Sequence, residues 1–122
     1  MIYFKDLSDK IIGLAIEVHK TLGNGFLEKV YENALMIEFK TNNISAEQQL
    51  SIPVQYKENI VGEYFADILV ENKIILELKT VKRIEPIHEA QLLHYLNATN
   101  LKLGYILNFA STSKLEFKRF VN

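Results

Sequence analysis

The sequence predicts an α/β fold: a mixed β-sheet of about five strands flanked by helices. Three observations point there. Two amphipathic helical patterns open the chain, a run of strict alternation begins near Ala46, and a helical segment near Pro86 separates that run from two further strand patterns. A helix between strands is what lets the chain return parallel to an earlier strand, so the sheet is expected to be mixed. At 122 residues the chain has room for one hydrophobic core, and one domain over residues 1–122 is expected.

Ile11, Ile12, Ala15, Val18, His19 and Leu22 recur at helical spacing, with Ser8 or Asp9 as the expected cap. Gly23, Asn24 and Gly25 tolerate positive φ and stop this helix in a sharp turn. A second helix is expected from about Leu27 to Lys40, ended by Thr41-Asn42-Asn43. Leu50, Ile52, Val54 and Tyr56 then alternate with Gln49, Ser51, Pro53 and Gln55, and Pro53 suggests an edge strand. Glu58-Asn59 reads as a turn into a strand ending at Val70, and Glu71-Asn72-Lys73 as a turn into a strand from Ile74 to Thr80. Pro86 sits where a helix of about a dozen residues should begin. Gly104–Phe109 and Leu115–Val121 read as the last two strands.

Composition narrows the function. Apolar residues make up 48% and charged residues 24%, close to globular averages. No apolar run approaches a membrane span, and an acid and a lysine among the first six residues argue against a secretory signal, so a cytoplasmic location without membrane association is expected. The absence of cysteine removes disulfides, thiolate nucleophiles and cysteine-ligated zinc. A net charge of -1 argues against nucleic-acid binding through bulk electrostatics, although a local basic cluster such as Lys79, Lys82 and Arg83 is compatible with phosphate contact. His19, His88 and His94 show no metal-ligand spacing.

The informative residues are Asp67, Glu77 and Lys79, which place charge inside two apolar strands. Glu77 and Lys79 share one face because strand side chains alternate. Asp67 joins them if Glu71-Asn72-Lys73 is a three-residue loop and Val70 opposes Ile74; a two-residue loop would put the acids on opposite faces. In the first register the two carboxylates face each other and should not both ionise without a cation between them. Magnesium suits such a gap, since it prefers oxygen ligands and is often held by one or two carboxylates plus water and phosphate.

Asp67, nine intervening residues and Glu77-Leu78-Lys79 resemble the signature of the PD-(D/E)XK nuclease superfamily, whose core has the restriction-endonuclease-like order of helix, strands, helix and strand. Gly25-Phe-Leu-Glu28-Lys-Val-Tyr31 is similar to the pattern that names the GxxExxY family, a branch of that superfamily. Gln91-Leu-Leu-His-Tyr95 is similar to the Gln-xxx-Tyr element of RecB-like nucleases. The first acid follows Ala66 rather than proline, a common departure.

The resemblance implies a Mg2+- or Mn2+-dependent phosphodiesterase acting on nucleic acid, with DNA the expected substrate and RNA left open. It implies Asp67, Glu77 and the backbone carbonyl of Leu78 as metal ligands, with Glu28 ligating directly or through water. Lys79 would assist the attacking water, and Gln91 and Tyr95 would orient the site or touch substrate phosphate. A homodimer presenting two sites is expected by analogy, which sedimentation can test. The alternative is a non-catalytic nucleic-acid-binding or protein-interaction domain that keeps the nuclease fold. Singly, these residues have ordinary explanations: an ion pair on a solvated strand, an acid in a helix's first turn, a tyrosine packed on a sheet. Their joint appearance in this order is what favours the nuclease.

Overall fold

The computed structural model describes residues 3–122. Two helices, α1 (Lys5–Leu22) and α2 (Glu28–Thr41), lead into the strands β1 (Ala46–Tyr56), β2 (Asn59–Val70) and β3 (Ile74–Lys79). Helix α3 (Pro86–Thr99) then crosses to β4 (Leu103–Asn108), and β5 (Glu116–Val121) closes the chain. The strands lie in sequence order in one five-stranded sheet. The β3–β4 pair is parallel and the other three pairs are antiparallel, so α3 is the crossover that a parallel neighbour requires.

Each face of the sheet has its own apolar layer. Ile11, Ala15 and Val18 of α1 and Tyr31, Leu35 and Phe39 of α2 cover Ile74, Leu76 and Leu78 of β3 on one side. Leu92, Tyr95 and Leu96 of α3 cover Ile75 and Ile106 on the other. β3 and β4 are therefore apolar nearly throughout, the pattern of strands buried on both faces. Among their buried residues only Glu77 and Asn108 carry polar side chains. Asn108 is fully used: it donates to the carbonyl of Val81 and to Glu116 and accepts from the backbone of Val81 and Ala110.

Element boundaries differ from the sequence reading in instructive places. Helix α1 begins at Lys5, and its cap position is Phe4 in the left-handed region with φ 51° and no side-chain bond. Ser8 does not cap; it lies inside the helix, buried, and its hydroxyl has no partner among the described residues. Packing of the helix face that includes Ser8 and Ile11 carries the helix back past its local start signal. The first hairpin turns at Lys57 and Glu58, both at positive φ (48° and 69°), rather than at Glu58-Asn59. Two left-handed central residues match the twist of the flanking strands, which is why the turn settles there.

The second hairpin turns at Glu71-Asn72-Lys73, with Val70 opposite Ile74, as the three-residue loop requires. β1 is an edge strand, consistent with Pro53. Only Ile68, Leu69 and Val70 of β2 pair with β3, so the β1–β2 ribbon runs past the rest of the sheet. At its start the alternation breaks: Ile68 belongs to the α1/α2 layer and Ala66 to the α3 layer. The break falls at Asp67, beside Gln49 at φ 54° in β1.

Close approach of α3 to the sheet depends on Gly104. A Cβ there would stand 2.9 Å from Leu92 Cδ1 and 3.3 Å from the carbonyl oxygen of Ile75. The leucine tip can shift but the strand carbonyl cannot, so Gly104→Ala is expected to cost about 1 to 3 kcal/mol, measured by urea unfolding.

Candidate active site

Asp67 and Glu77 meet where the β2–β3 ladder ends. The register runs Val70 with Ile74, Leu69 with Ile75 and Ile68 with Leu76, which brings Asp67 beside Glu77. From there side chains take over from the backbone. The Asp67 N–H donates to Glu77 Oε2 at 2.8 Å, and the Leu78 N–H donates to Asp67 Oδ2 at 2.8 Å. Each carboxylate thus takes a backbone donor that a continued ladder would have used.

Glu77 is 4% exposed. Burial, followed by the neighbouring charge of Asp67, pushes its carboxyl up to about 8, against the bond from the Asp67 N–H and the positive charge of Lys79. Burial also raises Asp67, opposed by the Leu78 N–H bond, with the charges of Glu32 and Glu28 adding to the rise and that of Lys79 countering it. Two acids in this position favour an added positive charge between them.

Glu28 and Glu32 approach from α2. Glu28 is the first residue of that helix, and both acids line a cleft with Lys29, Gln49, Asp67 and Thr80. The charge of Glu28 reaches both Asp67 and Glu77. Among the described residues, however, no three His, Asp or Glu side chains stand close enough to hold an ion alone. The donor set the site offers a cation is therefore Asp67 and Glu77, with backbone carbonyl, water and phosphate oxygens to complete it. That is a set magnesium accepts, and the hard oxygen donors and the surplus negative charge fit such an ion.

Gln91 and Tyr95 stand on α3, across the sheet from α2, and line a second cleft. The Tyr95 hydroxyl is pushed up to about 12, first by burial and then by the charges of Glu77, Asp67 and Tyr64, while a hydrogen bond with Gln91 acts the other way. Tyr95 therefore stays a neutral hydrogen-bonding group beside the acids. His88 lines the same cleft and also accepts the Glu85 N–H through Nδ1 at 2.9 Å, closing a capping box on α3.

Tyr31, by contrast, is structural. Its hydroxyl donates to the Gly23 carbonyl at 2.6 Å and accepts the Phe26 N–H at 3.3 Å, and its ring stacks on Phe109 at 4.5 Å. Gly25, at φ 109°, makes the turn that this tyrosine fastens. The three marked positions of Gly25-xx-Glu28-xx-Tyr31 thus divide the work: a turn, an acid at the cleft, and a lock that holds the turn to the core.

The sequence reading missed Glu32. It is 3% exposed and accepts from Lys29 Nζ at 3.0 Å, Gln48 Nε2 at 2.7 Å and Gln49 Nε2 at 3.0 Å. It ties α2 to the distorted stretch of β1 that faces Asp67. Its four-residue spacing from Glu28 was the available signal, since such residues share a helix face. Glu32→Ala removes the shared acceptor of two glutamine amides and should cost about 1.5 to 3 kcal/mol in urea unfolding.

The pH dependence has a definite sign. Glu77 holds its proton up to about 8 in the folded chain against the ordinary glutamate value of 4.5, so between those limits the native state binds more protons than the unfolded one. Stability measured in chelator should fall as pH rises through that window. Glu77→Gln, which cannot ionise, should flatten the slope; identical slopes for both proteins would contradict the assignment.

Comparison with known proteins agrees with this fold. No curated protein matches the chain. Among solved structures, one described as the crystal structure of SSO0001 superposes with a TM-score of 0.57 at 20% identity, over 77% of this chain. This chain spans 49% of the length of that one, and the likeness concerns the fold. The sequence profile of the PD-(D/E)XK nuclease superfamily matches residues 5–120, a span that contains all three helices, the first four strands and all but the last residue of β5. With the acid pair and the following lysine in place on β2 and β3, the chain belongs to the PD-(D/E)XK nuclease superfamily.

Proposed function

We propose that this chain is a divalent-metal-dependent nuclease of the GxxExxY branch, hydrolysing phosphodiester bonds in nucleic acid, with DNA as its substrate. The observation that carries the reading is the side-by-side pair of a buried Glu77 and a half-buried Asp67, both with raised carboxyls and exchanging backbone donors at the end of the ladder. A fold that needed only stability would gain more from apolar residues at these positions.

Asp67 and Glu77 would hold the cation, with the carbonyl of Leu78 as a third donor and Glu28 acting directly or through water from the α2 side of the cleft. When bound, Mg2+ or Mn2+ supplies charge stabilisation at the phosphate and acidifies water. Lys79 lies on the same strand face as Glu77, two residues on, and its charge favours the ionised form of both acids. In that position it orients the attacking water and offsets charge that develops on phosphate. Tyr95, kept protonated by its surroundings, and Gln91 orient groups at the α3 side of the site.

Cleavage of single-stranded and duplex DNA and of RNA with Mg2+ or Mn2+ tests the proposal. Asp67→Asn and Glu77→Gln should each lower the rate by about a thousandfold or more, and Lys79→Met by about a hundredfold. Mn2+ titration should detect binding to the wild type and not to Glu77→Gln. A wild type that cleaves none of these substrates and binds no metal overturns it. Undiminished nucleic-acid affinity in Glu77→Gln, with no metal dependence in either protein, would instead identify a binding module.

A further inference from the structure

The cleft on the α3 side has a composition unlike the acid cleft. It measures about 440 Å³, within the range of small-ligand sites, and is lined by Val54 and Tyr64 from the β1–β2 ribbon and Ile87, Gln91, His94 and Tyr95 from α3. Three aromatic rings meet there. The centroids of Tyr64 and His94 are 6.4 Å apart, those of Tyr64 and Tyr95 6.2 Å, and those of His94 and Tyr95 6.2 Å. Tyr64 is 50% exposed and Ile87 72% exposed, although the core beneath them is closed. Exposed apolar surface around an aromatic cluster marks a binding site.

We propose that this cleft is a base-stacking subsite, and that the substrate is nucleic acid with unpaired bases beside the scissile phosphate. The inference rests on the nuclease reading of the Asp67–Glu77 site and deepens it.

Continuity with that site favours a nucleotide as the occupant. Tyr95 belongs to the cleft and packs in one layer with Ala66, the neighbour of Asp67, and with Ile75, two residues before Glu77 on β3. A strand whose phosphate lies at the acids therefore has its neighbouring base within reach of the rings. Gln91 offers both an amide donor and an amide acceptor, which suits the edge of a base. Lys82 and Arg83 lie exposed in the segment joining β3 to α3, where a strand backbone entering the cleft would pass.

Charge points the same way. Duplex binding relies on many phosphate contacts and a basic surface, whereas this chain has a net charge of -1. Stacking on aromatic rings supplies affinity for single strands without a large basic excess, and it tolerates any base. In a duplex the bases are already stacked on one another and unavailable to Tyr64.

Fluorescence anisotropy with calcium in place of magnesium tests the subsite by comparing a short oligo(dT), an abasic phosphodiester strand of equal length and charge, and a duplex of that length. The wild type should bind oligo(dT) about tenfold or more tighter than the abasic strand, and tighter than the duplex. Tyr64→Ala should bring the ratio of oligo(dT) to abasic affinity close to one, Tyr64→Trp should preserve it, and His94→Ala, at an exposed helix position, should lower it part of the way. Equal binding of oligo(dT) and the abasic strand by the wild type, or an unchanged ratio in Tyr64→Ala, overturns the subsite. If cleavage with Mg2+ or Mn2+ persists in that case, the nuclease reading stands and only the subsite falls; if no substrate is cleaved, the nuclease reading itself has failed.

Discussion

Asp67 and Glu77 each hold a backbone N–H from the partner strand, and the rest of the site depends on that exchange. An antiparallel pair normally satisfies its donors along the ladder. Here carboxylate oxygens take two of them, so β2 leaves β3 after Ile68 and the β1–β2 ribbon runs on alone. The separation places the acids at the mouth of the gap rather than on a continuous sheet face. One N–H bond to each is far less than water provides to an ionised carboxylate, which is why burial raises both carboxyls, Glu77 to about 8.

Everything else around the acids serves to keep that gap in shape. Glu32 anchors the glutamines of β1 that lie against the departure point, and Gln49 takes a left-handed conformation to do so. Tyr31 fixes the turn before α2, setting where Glu28 begins its helix. Gly104 lets α3 sit tightly on the sheet, which brings Tyr95 into the field of the acids. Local strain at Gln49 and the buried carboxyl at Glu77 are the features a purely structural domain would shed, and their clustering in one place is the physical case for a site.

The two sides of the gap differ in chemistry. On the α2 side the cleft is polar and acidic, with Glu28, Glu32 and Asp67. On the α3 side it is aromatic and apolar, with Gln91 as its polar contact. A polyanion with aromatic bases is a substrate that both sides can serve at once, provided a cation neutralises the first. Asp67 lines the acid cleft itself, and Tyr95 of the aromatic cleft packs in one layer with the neighbouring Ala66.

Much of this was legible in the residues. Periodicity located the helices and strands, Pro53 marked the edge, and of the two loop lengths that Glu71-Asn72-Lys73 allowed, the three-residue one, which sets Val70 opposite Ile74 and Asp67 beside Glu77, is the one the hairpin adopts. Local chemistry was enough because hairpin register depends on loop length. What could not be read was whatever depends on burial by distant segments. Ser8 looks like a cap and is instead covered by the core, Glu32 looks like an exposed helix acid and is instead enclosed by β1, and Tyr64 and His94, thirty residues apart, meet over one cleft. The order of residues along the chain determined which acids would face each other; only the packing of α2 and α3 on opposite faces decided what surrounds them, because burial and electric field are set by neighbours that the chain brings together from far away.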